Sequence, residues 1–101
     1  MQFMITAYDG TDGDALARRM KVRLQHLENM SKVREMGHVI CAGGLLDDDG
    51  KMKGSFLIME FDSRKQLDDY LDHEPYVSEG VWEKVDIEPM NVVILDRKRY
   101  I

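Results

Sequence analysis

Between Asp14 and Gly37 the chain carries one long stretch with a helical repeat, and what flanks that stretch limits the fold it can join. At about 100° per residue, Leu16, Met20, Leu24, Leu27 and Met30 fall in one apolar stripe. Arg23 lies inside the stripe and His26 on its shoulder, beside Met30. An arginine and a histidine in such a place have two readings. Either Arg23 reaches past its neighbours to solvent and His26 is a satisfied residue at the rim of the core, or the two line a pocket. In the pocket reading the histidine moves protons and the arginine holds an anion.

Ahead of the helix, residues 2 to 8 alternate Phe3, Ile5, Ala7 against Met4, Thr6, Tyr8, the period of a strand with two distinct faces. Asp9-Gly10-Thr11-Asp12-Gly13 ends that strand, Asp12 or Asp14 can cap the helix, and Gly37 stops it after Met36. A second strand runs from His38 to Leu46, interrupted by Gly43-Gly44, which predicts a bulge or a close approach to the backbone. The third, Met52 to Phe61, contains the continuous apolar run Phe56-Leu57-Ile58-Met59 of a central strand.

Ser63 caps a second helix over 64–72, with Leu67, Tyr70 and Leu71 inward, and His73-Glu74-Pro75-Tyr76 breaks it. A turn through Gly80 leads into a last extended segment, Val81 to Leu95, with an edge, bulge or bend at Pro89. The order β-α-β-β-α-β predicts a single domain over 1–101 of the α+β, ferredoxin-like class. Its four-stranded antiparallel sheet carries both helices on one face. Because Ile58, Val92 and Ile94 alternate with Leu57, Met59, Val93 and Leu95, both sheet faces look apolar. A second subunit is expected to cover the free one.

Composition removes several function classes. A net charge of -5 over 101 residues argues against a nucleic-acid surface, which needs a concentrated basic face. The one basic run, Arg97-Lys98-Arg99, reads as a solvated tail. No stretch approaches the ~20 apolar residues that span a bilayer, and the opening residues lack the pattern of a signal peptide, so a cytoplasmic location and no membrane partner are expected. The lone Cys41 reads as an inert thiol within a strand. The eight methionines suit a plastic core.

Asp47-Asp48-Asp49-Gly50 lacks the remaining ligands of a calcium loop, and no zinc spacing is present. There is no GxSxG, phosphate-binding glycine loop or CxxC. No metal and no cofactor are therefore expected.

An imidazole suits acid/base work near neutral pH provided a carboxylate fixes its tautomer. Glu74, Glu35 and Glu28 are the candidates for His26, and Glu74 is preferred because helices packed side by side can bring the two segments together. His73, next to Glu74, could replace His26 in the pair, although a histidine ending a helix is more often a solvated partner of the helix dipole.

Arg23-x-x-His26-Leu27, Ala42-Gly43-Gly44-Leu45, Gly54-Ser55-Phe56, Glu60-Phe61, Glu74-Pro75-Tyr76-Val77 and Gly80-Val81, in that order, resemble the YciI-like (YCII-related) family. The chain departs from the family pattern in having Glu74-Pro75 for Asp-Pro and Gly43-Gly44 for Gly-Pro. The resemblance implies a dimeric α+β barrel with a histidine and an acidic residue as a catalytic pair, His26 as acid/base and Glu74 as its orienting carboxylate. Arg23 would hold a phenolate or carboxylate oxygen, with Ser55, Tyr76 and Trp82 in the pocket wall.

The implied activity is that of a cofactor-independent lyase or isomerase on a small anionic ring-derived molecule, such as a dehydrochlorinase acting on chlorinated aromatics. The alternatives are a dimer that binds a small molecule without chemistry and a cofactor-free oxygenase of the related dimeric fold.

Overall fold

A computed structural model describes residues 1–96. Along the chain come β1 (Gln2–Asp9), α1 (Ala15–Glu35), β2 (Val39–Leu46), β3 (Met52–Glu60), α2 (Arg64–Asp72), α3 (Pro75–Ser78) and β4 (Trp82–Met90). The strands form one antiparallel sheet in the order β2-β3-β1-β4, the ferredoxin-like arrangement the sequence predicts. The basic run 97–99 lies outside the described residues.

One face of the sheet carries the core. Phe3, Ile5 and Ala7 of β1 are buried, paired across to Met59, Leu57 and Ser55 of β3 and to Pro89, Ile87 and Val85 of β4. Val22 of α1 and Leu67 and Tyr70 of α2 close over them. Local signals place the ends of these elements. Gly37 ends α1 with φ +84°, a conformation that favours glycine. The Ser63 hydroxyl accepts the Gln66 N–H at 3.2 Å at the start of α2. Asp47 Oδ1 accepts the N–H groups of Asp49 and Lys51, both at 2.9 Å, so this aspartate organises the hairpin turn.

Gly43 and Gly44 pair regularly with Phe56 and Ser55, and the bulge expected there is absent, the register shifting instead near Cys41 and Leu46. What approaches the backbone is a side chain. A Cβ on Gly44 would meet the Met52 methyl group at 2.2 Å.

The packed face of α1 differs from the expected one. Ala15, Arg19, Val22 and His26 are buried, while Leu16, Met20, Leu24 and Leu27 are exposed, Leu24 by 75%. The inward face lies roughly 100° round the helix from the apolar stripe, and Arg23 goes to the surface with the stripe. Apolar periodicity points to the wrong side because two of the inward residues are charged or polar and carry their partners into the core with them.

β4 is also shorter than expected. β1 begins at Gln2, paired with Met90, and beyond that residue β4 has no strand to bond. Residues 91–96 have no regular structure, with Val93 and Ile94 exposed, so their alternation adds nothing to the sheet. The open face is therefore apolar only at its centre, around Met4, Phe56 and Ile58. Along β4 it shows Lys84, Asp86 and Glu88, opposite Tyr8, Thr6 and Met4. Finally, the turn expected at 74–80 contains a short helix, α3, with Pro75 in its first turn and Glu74 as N-cap.

The central pair of strands approaches closely at Gly54, where a Cβ would stand 2.4 Å from the Ala7 carbonyl oxygen. Gly54→Ala is expected to lower the unfolding free energy by about 1–3 kcal/mol through this overpacking. In urea the midpoint should fall with the slope unchanged. An unchanged midpoint would mean that β1 and β3 can part there without cost.

Candidate active site

The inner face of the sheet turns polar at one end. After Phe3, Ile5 and Ala7 the row on β1 ends in Asp9; on β3 the row Met59, Leu57 ends in Ser55; and Trp82 stands opposite Asp9 on β4. Arg19 of α1, only 3% exposed, reaches into this end. Its Nη1 is 3.0 and 3.1 Å from the two Asp9 carboxylate oxygens, and its Nη2 donates to the Ser55 hydroxyl oxygen at 2.9 Å. The Trp82 Nε1–H donates to the same oxygen at 3.2 Å. Arg19 Nε is buried without a partner among the described residues, and the guanidinium carbon sits 4.9 Å from the centre of the Tyr76 ring.

Two turns further along α1, His26 meets Glu74. Its Nδ1 is 2.5 Å from Glu74 Oε1, and with a carboxylate as partner Nδ1 carries the proton, leaving Nε2 to act elsewhere. Glu74 is fully buried, yet each of its two oxygens is met by two donors. Oε1 also caps α3 through the Tyr76 N–H at 3.2 Å, and Oε2 accepts from the Tyr70 hydroxyl at 2.6 Å and the Asn29 amide at 3.3 Å. The His26 ring stacks on Tyr76, centroids 3.9 Å apart and planes 10° apart, and lies edge-to-face with Trp82, centroids 5.9 Å apart.

A cleft of about 250 Å³ opens in front of this group, walled by Arg19, Arg23, His26, Ser55 and Tyr76, with Gly44, the cross-strand neighbour of Ser55, and Met52 also in its lining. Larger hollows occur elsewhere, one of about 680 Å³ along the edge of β2 and one of about 540 Å³ beside His38 and His73. Neither contains a buried ion pair.

Of the residues singled out in the sequence, His26 and Glu74 are in contact, and Arg23, Ser55 and Tyr76 line the cleft with His26, while Glu74 is buried behind it. Trp82 stands behind the wall rather than in it, since its indole is turned to Ser55 and the His26 ring. His73 is exposed with Nδ1 on the Asp69 carbonyl oxygen, Glu28 and Glu35 are exposed, and Cys41 is half-buried and free on β2.

Sequence reasoning missed Arg19 and Asp9, as well as Tyr70 and Asn29 as partners of Glu74. One signal existed for Arg19. It stands seven residues before His26, two helical turns, so any argument that turns His26 inward turns Arg19 inward too.

The YCII-related domain matches residues 1–91 of the chain. The protein YciI of Escherichia coli is 32% identical over 99 residues, covering 92% of this chain and 99% of that one. An uncharacterized protein of Haemophilus influenzae is 28% identical over the same shares. Among solved structures, 5-chloro-2-hydroxyhydroquinone dehydrochlorinase from Burkholderia phenoliruptrix, in complex with 2,5-dihydroxybenzoquinone, superposes with a TM-score of 0.79. It is 26% identical, over 90% of this chain and 94% of that one.

Burial works against ionisation of Glu74. The hydrogen bond and charge of His26, then the Tyr70 hydroxyl and the Tyr76 N–H, outweigh it and hold the carboxyl below its usual range. Burial and the Glu74 charge push the Tyr70 hydroxyl far up, and burial pushes Tyr76 up, so both phenols stay neutral donors.

Because the folded value of Glu74 lies below the unfolded one of ~4.3, the unfolded chain takes up the proton first on acidification. The stability that ionised Glu74 contributes is complete above ~4.3 and is lost as pH falls through its lowered folded value. Glu74→Gln should cost about 1.5–3 kcal/mol at pH 7 and make stability less dependent on pH below ~5. Urea denaturation of both proteins across that range checks this. Superimposable pH profiles would contradict it.

Proposed function

The chain belongs to the YCII-related family, and from that premise we propose that it is an acid/base lyase removing hydrogen chloride from a small, polyhydroxylated chlorinated ring. The observation that carries the reading is the buried His26–Glu74 contact in a cleft wall, with Nε2 of the imidazole unclaimed by any described residue. At about 250 Å³ the cleft falls below the ~300–1,000 Å³ of drug-sized sites, which suits a single ring. A structural relative with 26% identity is a dehydrochlorinase of a chlorinated hydroxyhydroquinone, which supports the choice of leaving group.

The chemistry balances with these residues alone. Ionisation of one ring hydroxyl, its oxyanion held by the Arg23 guanidinium, raises electron density at the carbon bearing chlorine. Protonated His26 delivers a proton from Nε2 to that carbon, which becomes tetrahedral. A second ring hydroxyl then returns a proton to Nε2 as its electron pair moves into the ring and the carbon–chlorine bond breaks, releasing chloride. The substrate has lost one proton and one chloride, the ring has become a quinone, and His26 is protonated again. No external oxidant or reductant enters this balance. Throughout, Glu74 keeps the ring of His26 in place and stabilises its charged form.

His26→Ala is expected to lower turnover of a chlorinated hydroxyhydroquinone by ~10² to 10⁴, the usual contribution of such a group. Chloride release measured beside quinone absorbance reads the reaction directly. Turnover within a few-fold of the unmodified protein would overturn the assignment of His26. Consumption of oxygen in step with substrate would favour an oxygenase instead.

The working form on this reading is a homodimer joined through the open sheet face, because Met4, Phe56 and Ile58 form an apolar centre bordered by the charges of β4. Ile58→Asp should reduce the mass in solution from two copies to one. A single-copy mass for the unmodified chain at micromolar concentration would refute the dimer.

A further inference from the structure

The Ser55 hydroxyl is held by its neighbours in a way that leaves it one free bond. A serine oxygen has two lone pairs and one hydrogen. The Arg19 Nη2–H takes one lone pair at 2.9 Å and the Trp82 Nε1–H takes the other at 3.2 Å. Both donors are fixed. Arg19 is anchored by the two Asp9 oxygens, and Trp82 is packed 5.6 Å from Tyr76 and 5.9 Å from His26. Neither nitrogen can accept, because guanidinium and indole N–H groups only donate.

The hydrogen of Ser55 has no acceptor among the described residues, although the residue is only 3% exposed and forms part of the cleft wall. A donor left in that position loses free energy until something in the cleft accepts from it.

We propose that Ser55 is a fixed hydrogen-bond donor to the ligand, and that Asp9, Arg19 and Trp82 are positioning residues that deny it any role as acceptor. The ligand must therefore bring an oxygen with a free lone pair to Ser55. A deprotonated or carbonyl oxygen qualifies, and a hydroxyl that must donate at that point is rejected. Neither buried carboxylate lines the cleft to take up such a hydroxyl: Asp9 is turned to Arg19, and Glu74 to His26, Asn29, Tyr70 and the Tyr76 N–H. At Ser55 the cleft thus favours the ionised or quinoid oxygen of an oxygenated ring, which takes the stronger hydrogen bond, over the oxygen of its neutral phenol. This deepens the proposed function and rests on its reading of the cleft as the ligand site, but it does not depend on chloride elimination.

The test uses 4-nitrophenol, whose neutral and ionised forms absorb at different wavelengths, so the state of the bound probe is read directly. Shifts of the His26 ring resonances on adding the probe report that it occupies the cleft. In the unmodified protein and in Ser55→Thr, which keeps the hydroxyl, the bound probe should favour the phenolate by about tenfold over its balance in water, as a hydrogen bond to a charged group implies.

In Trp82→Phe one lone pair of Ser55 is released, so the serine can accept from the neutral phenol and the preference should fall at least threefold. In Ser55→Ala the donor is gone and the preference should fall likewise. Arg23 is intact in all four proteins, and a purely structural role for Ser55 or Trp82 would weaken both forms alike, leaving their ratio unmoved. If Trp82→Phe does not fold, the Thr and Ala variants at Ser55 decide the matter. A ratio within twofold of the unmodified protein in Ser55→Ala overturns the assignment of Ser55 while leaving the cleft reading intact. Binding that leaves the His26 resonances unmoved, or no binding, overturns both.

Discussion

A carboxylate removed from water is costly unless every lone pair finds a donor, and Glu74 is entirely removed from water. Its two oxygens accept from His26 and Asn29 of α1, Tyr70 of α2 and the Tyr76 N–H of α3. All three helices therefore meet at one ionised group. The position of α2 is set by Leu67 and Tyr70 in the core and by the hydroxyl of Tyr70 on this carboxylate. The cleft inherits its shape from the same arrangement, because Glu74 turns the His26 ring and caps the helix that carries the Tyr76 ring stacked on it.

A second buried pair extends this logic toward the end of the sheet. Asp9 and Arg19 continue rows that are otherwise apolar, and they are tolerated because Nη1 of Arg19 pairs with both Asp9 oxygens while Nη2 donates to Ser55. The polar end of the core and the candidate site are thus one structure. The site sits where the strands stop supplying apolar side chains.

The fold was legible because its signals are local: the alternation in β1, Gly37 after α1, the turn around Asp47 and the Ser63 cap each act within a few residues. The His26–Glu74 contact joins residues 48 apart and was reached through helix packing and family resemblance rather than through any local pattern. Arg19 was legible only through its spacing from His26, not through its residue type. It adjoins Arg18, which forms an exposed pair with Asp12, and nothing in the two residue types says which of them enters the core. The stripe on α1 misled for a related reason. Burial follows the whole set of partners available to a face, and here a less apolar face won because Asp9, Ser55 and Glu74 were waiting for it.

Oε1 of Glu74 accepts from both the His26 ring and the backbone of Tyr76. One atom therefore holds the imidazole that the proposed proton chemistry uses and caps the first turn of a helix at once. For anyone reshaping this domain, position 74 offers no independent dial: a change that retunes the imidazole also loosens the chain beside it. A library screened only for soluble protein would discard such changes before their chemistry was seen. Variation in specificity has more room at Met52, which lines the cleft over Gly44 and belongs to neither buried ion pair.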